Sequence, residues 1–210
     1  MNLQHFIDLV SPYSMTSVAR ISKLYESLNT IMFNNIEGDI VECGVWKGGN
    51  ILGSMEYCYY HGIDKTIWAY DTFEGMTNPT QFDINLNDQS ASTIFNSVKC
   101  ESSLTEFSKT INMSQPNKTK LKIIAGDINL TLDQVDNTPK QISLLRLDTD
   151  WYESTLKELN ILYPKISKGG ICIIDDYGHW QGCKKAVHEY FNNDLPKHEY
   201  IDYTGIAIYV

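Results

Sequence analysis

Five short apolar runs, interleaved with stretches of helical spacing, recur along this chain. They lie at 39–43 (DIVEC), 66–70 (TIWAY), 121–125 (LKIIA), 143–147 (SLLRL) and 171–174 (ICII). Such runs, nearly continuous in hydrophobicity, are the mark of strands covered on both faces. Helical spacing falls at 17–33, 50–61, 103–112, 152–162 and 182–192. Ser103 and Glu106 stand at capping-box spacing, and Gly169-Gly170 follow the break at Pro164 ahead of the fifth run. This alternation predicts an α/β fold, a doubly wound and mainly parallel sheet with helices on both faces. Two further extended runs, 198–204 and 205–210, are joined almost without a connection. A parallel crossover needs about a dozen residues or more, so these two pair antiparallel. The expected sheet has seven strands with the last one antiparallel.

With 210 residues the chain is long enough for one domain with a sizeable core. Residues 1–36 read as an N-terminal helical segment, a candidate for packing between subunits of a homo-oligomer. Residues 76–120, rich in Asn, Ser, Thr and Gln, are too long for a plain connection. They form either a substrate-facing lid or a partly disordered loop. Acidic side chains outnumber basic ones by 26 to 17, giving a net charge of −9 with no Lys/Arg cluster. An acidic surface repels phosphate backbones and argues against a nucleic-acid partner. No run has the apolar length of a membrane-spanning helix, so no membrane association is expected. The opening MNLQHFIDLVSPYS lacks the basic start and apolar stretch of a secretion leader. Five scattered cysteines without C-x-x-C suggest reduced thiols and a cytoplasmic protein.

In open α/β sheets, ligands bind outside the carboxyl ends of the strands, so the residues after each run carry the functional reading. The first run leads into ECGVWKGGN, where Glu42 precedes Gly44, Gly48 and Gly49. Glycines let the backbone turn tightly and approach a ligand, although a plain strand-to-helix turn needs them too. The spacing is neither G-x-G-x-x-G nor a P-loop, so dinucleotide and triphosphate loops fit poorly. The second run leads into YDTFEG, with Asp71, Thr72 and Phe73. A carboxylate there offers acceptors to two ribose hydroxyls, and a helix N-cap is the other reading of Asp71. Gly126, Asp127 and Ile128 follow the third run, either bounding an adenine ring or making a turn.

The fourth run ends in Asp148-Thr149-Asp150 and the fifth in Asp175-Asp176. Adjacent strand ends bring these acids together. Taken without a Lys or Arg beside them, converging carboxylates would destabilise an empty site, and an oxygen-ligated cation such as Mg²⁺ relieves this. Asp150 reads first as the N-cap of the helix that begins near Tyr152. Trp46 and Trp68 read as core aromatics, and the histidines other than His179 as surface or packing residues.

Four stretches, ECGVWKGG, YDTFEG, LLRLDTDWYEST and DDYGHWQGCKKAVHEYF, together resemble the macrocin O-methyltransferase family. The likeness runs from the Met15-Thr16-Ser17 region to the C-terminal helix. It implies a Rossmann-like class I methyltransferase fold and methylation of sugar hydroxyls dependent on S-adenosyl-L-methionine and Mg²⁺. By this resemblance Glu42, Gly44, Gly48 and Gly49 face the methionine part of the cofactor. Asp71 holds the ribose with Thr72 and Phe73 close by, and Gly126, Asp127 and Ile128 meet the adenine end. Asp148, Asp175 and Asp176 match the family's metal ligands, with Asp148 also beside the cofactor as general base. Asp150, Tyr152, Tyr177, His179 and Trp180 border the acceptor. His179 is an auxiliary base, an acceptor contact, or a loop histidine with a structural hydrogen bond.

A sugar hydroxyl is a poor nucleophile, and a bound cation lowers its pKa. A neighbouring hydroxyl completes a bidentate grip, so a small-molecule or sugar acceptor with a vicinal diol is expected. Asp148 takes the proton as the oxygen attacks the sulfonium methyl in line. A catechol-like acceptor would serve the same chemistry. A dinucleotide-dependent sugar oxidoreductase would need G-x-G-x-x-G and Tyr-x-x-x-Lys. The first is absent, and Tyr163 is followed at that spacing by Ser167. A binding module without turnover would have no use for the acids at 148, 175 and 176.

Overall fold

Seven strands build the centre: β1 (Asp39–Cys43), β2 (Thr66–Asp71), β3 (Lys120–Ala125), β4 (Ile142–Leu147), β5 (Ile166–Ile174), β6 (His198–Tyr200) and β7 (Ile206–Tyr209). In the computed structural model, which describes residues 1–114 and 120–210, they form one sheet in the order β3-β2-β1-β4-β5-β7-β6. All neighbours from β3 through β5 pair parallel, and β7 runs antiparallel to both β5 and β6. The direction of winding reverses between β1 and β4. A crevice therefore opens at their carboxyl ends, where the crossovers leave to opposite sides.

The strand residues alternate between two cores. Val41, Tyr70, Leu145, Cys172 and Ile174 pack with Trp151, Leu159 and Val187, from α7 (Tyr152–Ile161), the residue before it, and α8 (Gln181–Tyr190). Ile40, Ala69, Leu144, Ile171 and Ile173 pack with Phe6, Leu24 and Ile51, from α1 (Leu3–Val10), α2 (Val18–Phe33) and α3 (Gly49–His61). Each such aliphatic side chain withdrawn from water contributes roughly 1.5–3 kcal/mol. That is why these strands read as continuous apolar runs rather than as alternating ones.

Two features depart from the sequence reading. β3 is an edge strand and stays largely exposed, with Ile123 at 40% exposure, so it is not covered on both faces. β5 starts at Ile166 and runs through Gly169-Gly170 instead of beginning after them. Its register against β4 shifts between Ile142 and Leu144, and Gly169 adopts φ +83°, so the glycines absorb a bulge within the strand. Residues 76–114 fold locally, with an Ile84–Ser90 bridge, α4 (Ala91–Val98) and α5 (Leu104–Ile111). The remainder of the expected 76–120 insertion includes 115–119, which lies outside the described residues. The capping box on α5 forms, with Glu106 N donating to Ser103 Oγ (3.2 Å) and Ser103 N to Glu106 Oε2 (3.0 Å). All five cysteines are free thiols. Among the described residues no helix is long and apolar enough to cross a membrane.

Candidate active site

Main-chain hydrogen bonds continue past the strand ends and set the crevice residues in a row. Gly126 N donates to Asp71 O (2.9 Å), Gly44 N to Tyr70 O (2.8 Å), Asp148 N to Cys43 O (2.9 Å) and Asp175 N to Leu147 O (2.9 Å). Gly44 sits at φ +79°, and a Cβ on it would stand 1.9 Å from the carbonyl oxygen of Asp148. Only glycine lets the β1 loop pass that close to the β4 end.

Asp71 is not a helix N-cap. Its Oδ2 accepts from Val45 N (2.8 Å) and Trp46 N (2.9 Å), and its Oδ1 from Phe73 N (2.9 Å). It thus braces the β1 and β2 loops against each other. Trp46 (φ 46°), Phe73 (φ 55°) and Asp150 (φ 65°) all hold left-handed backbone at the ends of these strands. Such strain gathers where loops are shaped for a ligand.

The acids at the ends of β4 and β5 do not meet alone, and this overturns the expectation of a cluster without a basic partner. Arg146, the penultimate residue of buried β4, donates from Nη1 to Glu42 Oε1 and Asp148 Oδ2 (2.7 Å each). From Nη2 it reaches Asp175 Oδ1 (2.5 Å) and Thr16 Oγ1 (2.8 Å). Arg20, on α2, pairs with Asp175 and, at 2.9 Å, with Asp202. Burial works against the Arg146 charge, but Asp148, Asp175 and Glu42 together raise its pKa well above the ordinary value. Burial lifts the Asp175 carboxyl, with Arg146 opposing it, and lifts Asp176 well above the usual carboxylate range with the charge of Asp150 adding to it. One carboxylate oxygen from each of Asp148, Asp175 and Asp176 lies within 4.8 Å of the others.

Asp150 does not cap α7, contrary to the sequence reading. Its Oδ1 accepts from Trp180 Nε1 (2.9 Å), and the free amide of Tyr152 is met instead by Asp83 Oδ1 (2.8 Å). The left-handed turn at Asp150 directs its side chain away from the helix start.

A cavity of about 250 Å³ fills the crevice. Of the residues expected at the site, Glu42, Gly44, Asp71, Thr72, Gly126, Asp127 and Ile128 line it, together with Asp148, Asp150, Asp175 and Asp176. Gly48, Gly49, Phe73, Tyr152, Tyr177, His179 and Trp180 stand outside its lining. Gly48 and Gly49 instead make room for neighbours: a Cβ would meet the Phe107 ring at 2.7 Å from Gly48, and the Tyr13 backbone at 2.7 Å from Gly49. Phe73 packs on Phe107. Tyr152 donates its hydroxyl to Glu189 (2.7 Å), and Tyr177 shares a hydrogen bond with His188 (2.9 Å). His179 packs edge-on against Trp180 and leaves Nδ1 buried without a partner among the described residues.

Several lining residues were not anticipated, including Arg20, Asn50, Cys100 and Ser102. Trp46 lines the cavity as well and is not a core aromatic, whereas Trp68 is buried as expected. The one readable signal was Arg146, a charge inside an otherwise apolar strand. Asn50 and Ser102 carry no local pattern, because their place depends on how α3 and the 99–103 loop fold back over β1.

Strand order, the antiparallel seventh strand and a crevice at the switch point define a class I methyltransferase fold. The family model described as macrocin-O-methyltransferase (TylF) matches residues 9–209, and the chain belongs to that family of O-methyltransferases. It is 31% identical over 179 residues to demethyldecarbamoylnovobiocin O-methyltransferase of Streptomyces niveus, covering 85% of this chain and 67% of that protein. Against mycinamicin III 3''-O-methyltransferase of Micromonospora griseorubida the identity is 27%, covering 85% and 70%. The solved structure of the O-methyltransferase NovP superposes with a TM-score of 0.85 at 26% identity, over 99% of this chain and 97% of that one.

Proposed function

We propose that this chain transfers a methyl group from S-adenosyl-L-methionine to a hydroxyl of a sugar that carries a vicinal diol, with Mg²⁺ held by Asp148, Asp175 and Asp176. The observation that carries the reading is the presence, in one crevice, of three converging carboxylates beside polar atoms that lack partners. Asn50 Oδ1 and Ser102 Oγ are both buried, belong to residues lining the cavity, and find no hydrogen bond among the described residues. An acceptor and a hydroxyl in that position suit the ammonium and carboxylate of a methionine moiety. Glu42 Oε1, already met by Arg146, also accepts from Asn50 Nδ2 (2.9 Å) and so holds that amide in place at the same end.

At the other end, Asp71 retains lone-pair directions for ribose hydroxyls beyond the three amides it accepts, and Gly126, Asp127 and Ile128 bound the adenine side. The all-oxygen set of Asp148, Asp175 and Asp176 suits a hard divalent cation. When bound, Mg²⁺ supplies a Lewis acid that lowers the pKa of the acceptor hydroxyl.

Asp148 is the carboxylate placed to take the hydroxyl proton. Its side chain is 27% exposed, against 3% for Asp175, and only its Oδ2 is engaged by Arg146. As the oxygen–carbon bond forms, the carbon–sulfur bond breaks, the sulfur keeps that electron pair, and Asp148 holds the proton. Arg146 and Arg20 keep Asp175 fixed throughout, and a 28% identical relative of Streptomyces olivaceus, named as a 4'-O-methyltransferase of a rhamnosyl-tetracenomycin C, supports the choice of a sugar hydroxyl.

Calorimetric titration with S-adenosylmethionine, in Mg²⁺ and in EDTA, tests the cofactor. Micromolar binding is expected, and absence of binding in both conditions would sink the reading. Asp148→Asn should keep cofactor binding while lowering Mg²⁺-dependent methyl transfer to sugar diols by about a hundredfold or more. Undiminished transfer by that variant would remove Asp148 from the role of base.

A further inference from the structure

Between β2 and α4 the chain crosses the mouth of the crevice, and one buried carboxylate ties it down. Asp83 has no exposed surface. Its Oδ2 accepts from Thr80 N (2.6 Å) and Thr80 Oγ1 (2.8 Å), its Oδ1 from Tyr152 N (2.8 Å), and its carbonyl from Ala91 N (2.7 Å) at the start of α4. α8 closes against the same group, since a Cβ on Gly182 would stand 2.0 Å from Asp83 Oδ1.

Contacts on either side of Asp83 reach the same two helices. The Phe82 ring lies 4.8 Å from that of Tyr152, and Lys185 Nζ caps both rings at 4.1 and 3.9 Å. Asn85 bridges Trp180, and Gln181 N donates to Ile84 O (2.8 Å). Upstream, Thr77 O accepts from Trp151 Nε1 (2.9 Å), while Met76 and Thr77 line the cavity beside Gly126 and Asp127. Trp151-Tyr152 come directly after Asp148–150, and Trp180 stands close after Asp175-Asp176.

We propose that Asp83 is a positioning residue: it locks the 76–91 segment onto the first turns of α7 and α8, so that the wall at the adenine end and the two acid loops move as one piece. The inference rests on reading the crevice as the S-adenosylmethionine site. A buried carboxyl whose two oxygens accept N–H and O–H bonds from separate segments ties those segments together, and removing either oxygen leaves a donor unmet. The segment acts as a fixed wall, not as a hinged lid. Its rigidity serves affinity by placing Met76 and Thr77 before the cofactor arrives.

The test compares wild type with Asp83→Asn, Asp83→Ala and, as a control on the same segment, Leu86→Ala, whose side chain is exposed. S-adenosylmethionine binding by calorimetry should weaken about tenfold or more in Asp83→Asn, further in Asp83→Ala, and stay at the wild-type value in Leu86→Ala. Hydrogen exchange should show 76–91 and the first turns of α7 and α8 loosening together. Wild-type affinity in a folded Asp83→Asn, with only the melting temperature reduced, would reduce Asp83 to a stability residue and overturn the proposal. If the variants fail to fold, exchange in wild type decides: a 76–91 segment far less protected than the first turn of α7 also overturns it. Failure of wild type itself to bind would instead overturn the cofactor reading on which the proposal rests.

Discussion

Glu158, on α7, has no exposed surface; Thr149 Oγ1 donates to its Oε1 (2.9 Å), and its Oε2 has no partner among the described residues. Burial lifts its carboxyl well above the usual range, so the folded protein holds the proton that the unfolded chain releases near pH 4.3. Stability from this group is complete below that pH and drains away as pH rises toward the folded pKa. Glu158→Gln keeps an acceptor for Thr149 and carries no such penalty. Its melting temperature should therefore gain on wild type as pH rises above about 5. A gap between the two that does not change with pH would show the carboxyl to be ionised in the folded state. Nothing in the helical pattern of 152–162 marked Glu158 as buried. Its burial follows from the packing of α7 against α8 and into the core beside Leu159, which the pattern does not encode.

At the scale of elements, most strands and the starts of the expected helices were legible, and the partners that cap the helices less so. β1, β2 and β4 fall within a residue of the apolar runs, because burial on both faces leaves a continuous signal. The sequence of β3 reads the same way although the strand is exposed, since its apolar composition carries no record of its edge position. Helix capping was legible where both partners are local, as in Ser103 and Glu106, and illegible at α7, whose capping group lies 69 residues away at Asp83. The β1 turn depends on Gly44 for close approach to β4. Gly44→Ala should destabilise the fold by more than about 2 kcal/mol in urea unfolding, because left-handed backbone and the contact with Asp148 are both at stake. A stability within about 0.5 kcal/mol of wild type would mean that the β1 loop is free to move away.

Across the whole molecule the two cores share their strands: Ile40 belongs to one and Val41 to the other, as do Leu144 and Leu145. Neither face can be lost while the other keeps its strands in place. Thermal unfolding should thus be a single transition whose calorimetric and van't Hoff enthalpies agree, and two resolved transitions would contradict it. The amino-acid sequence by itself determined the alternation of strand and helix, the antiparallel end of the sheet and the row of acids at the strand ends. These follow from local periodicity, connection length and the order of residues along single strands. Only the tertiary structure decided which charges meet there. Arg146 reaches Asp175 across 29 residues and Arg20 reaches it across 155, while Asp83 takes the capping role first assigned to Asp150. A buried ion pair or a helix cap is a distance in space, and the separation of its partners along the chain leaves that distance open until the sheet and its helices have packed.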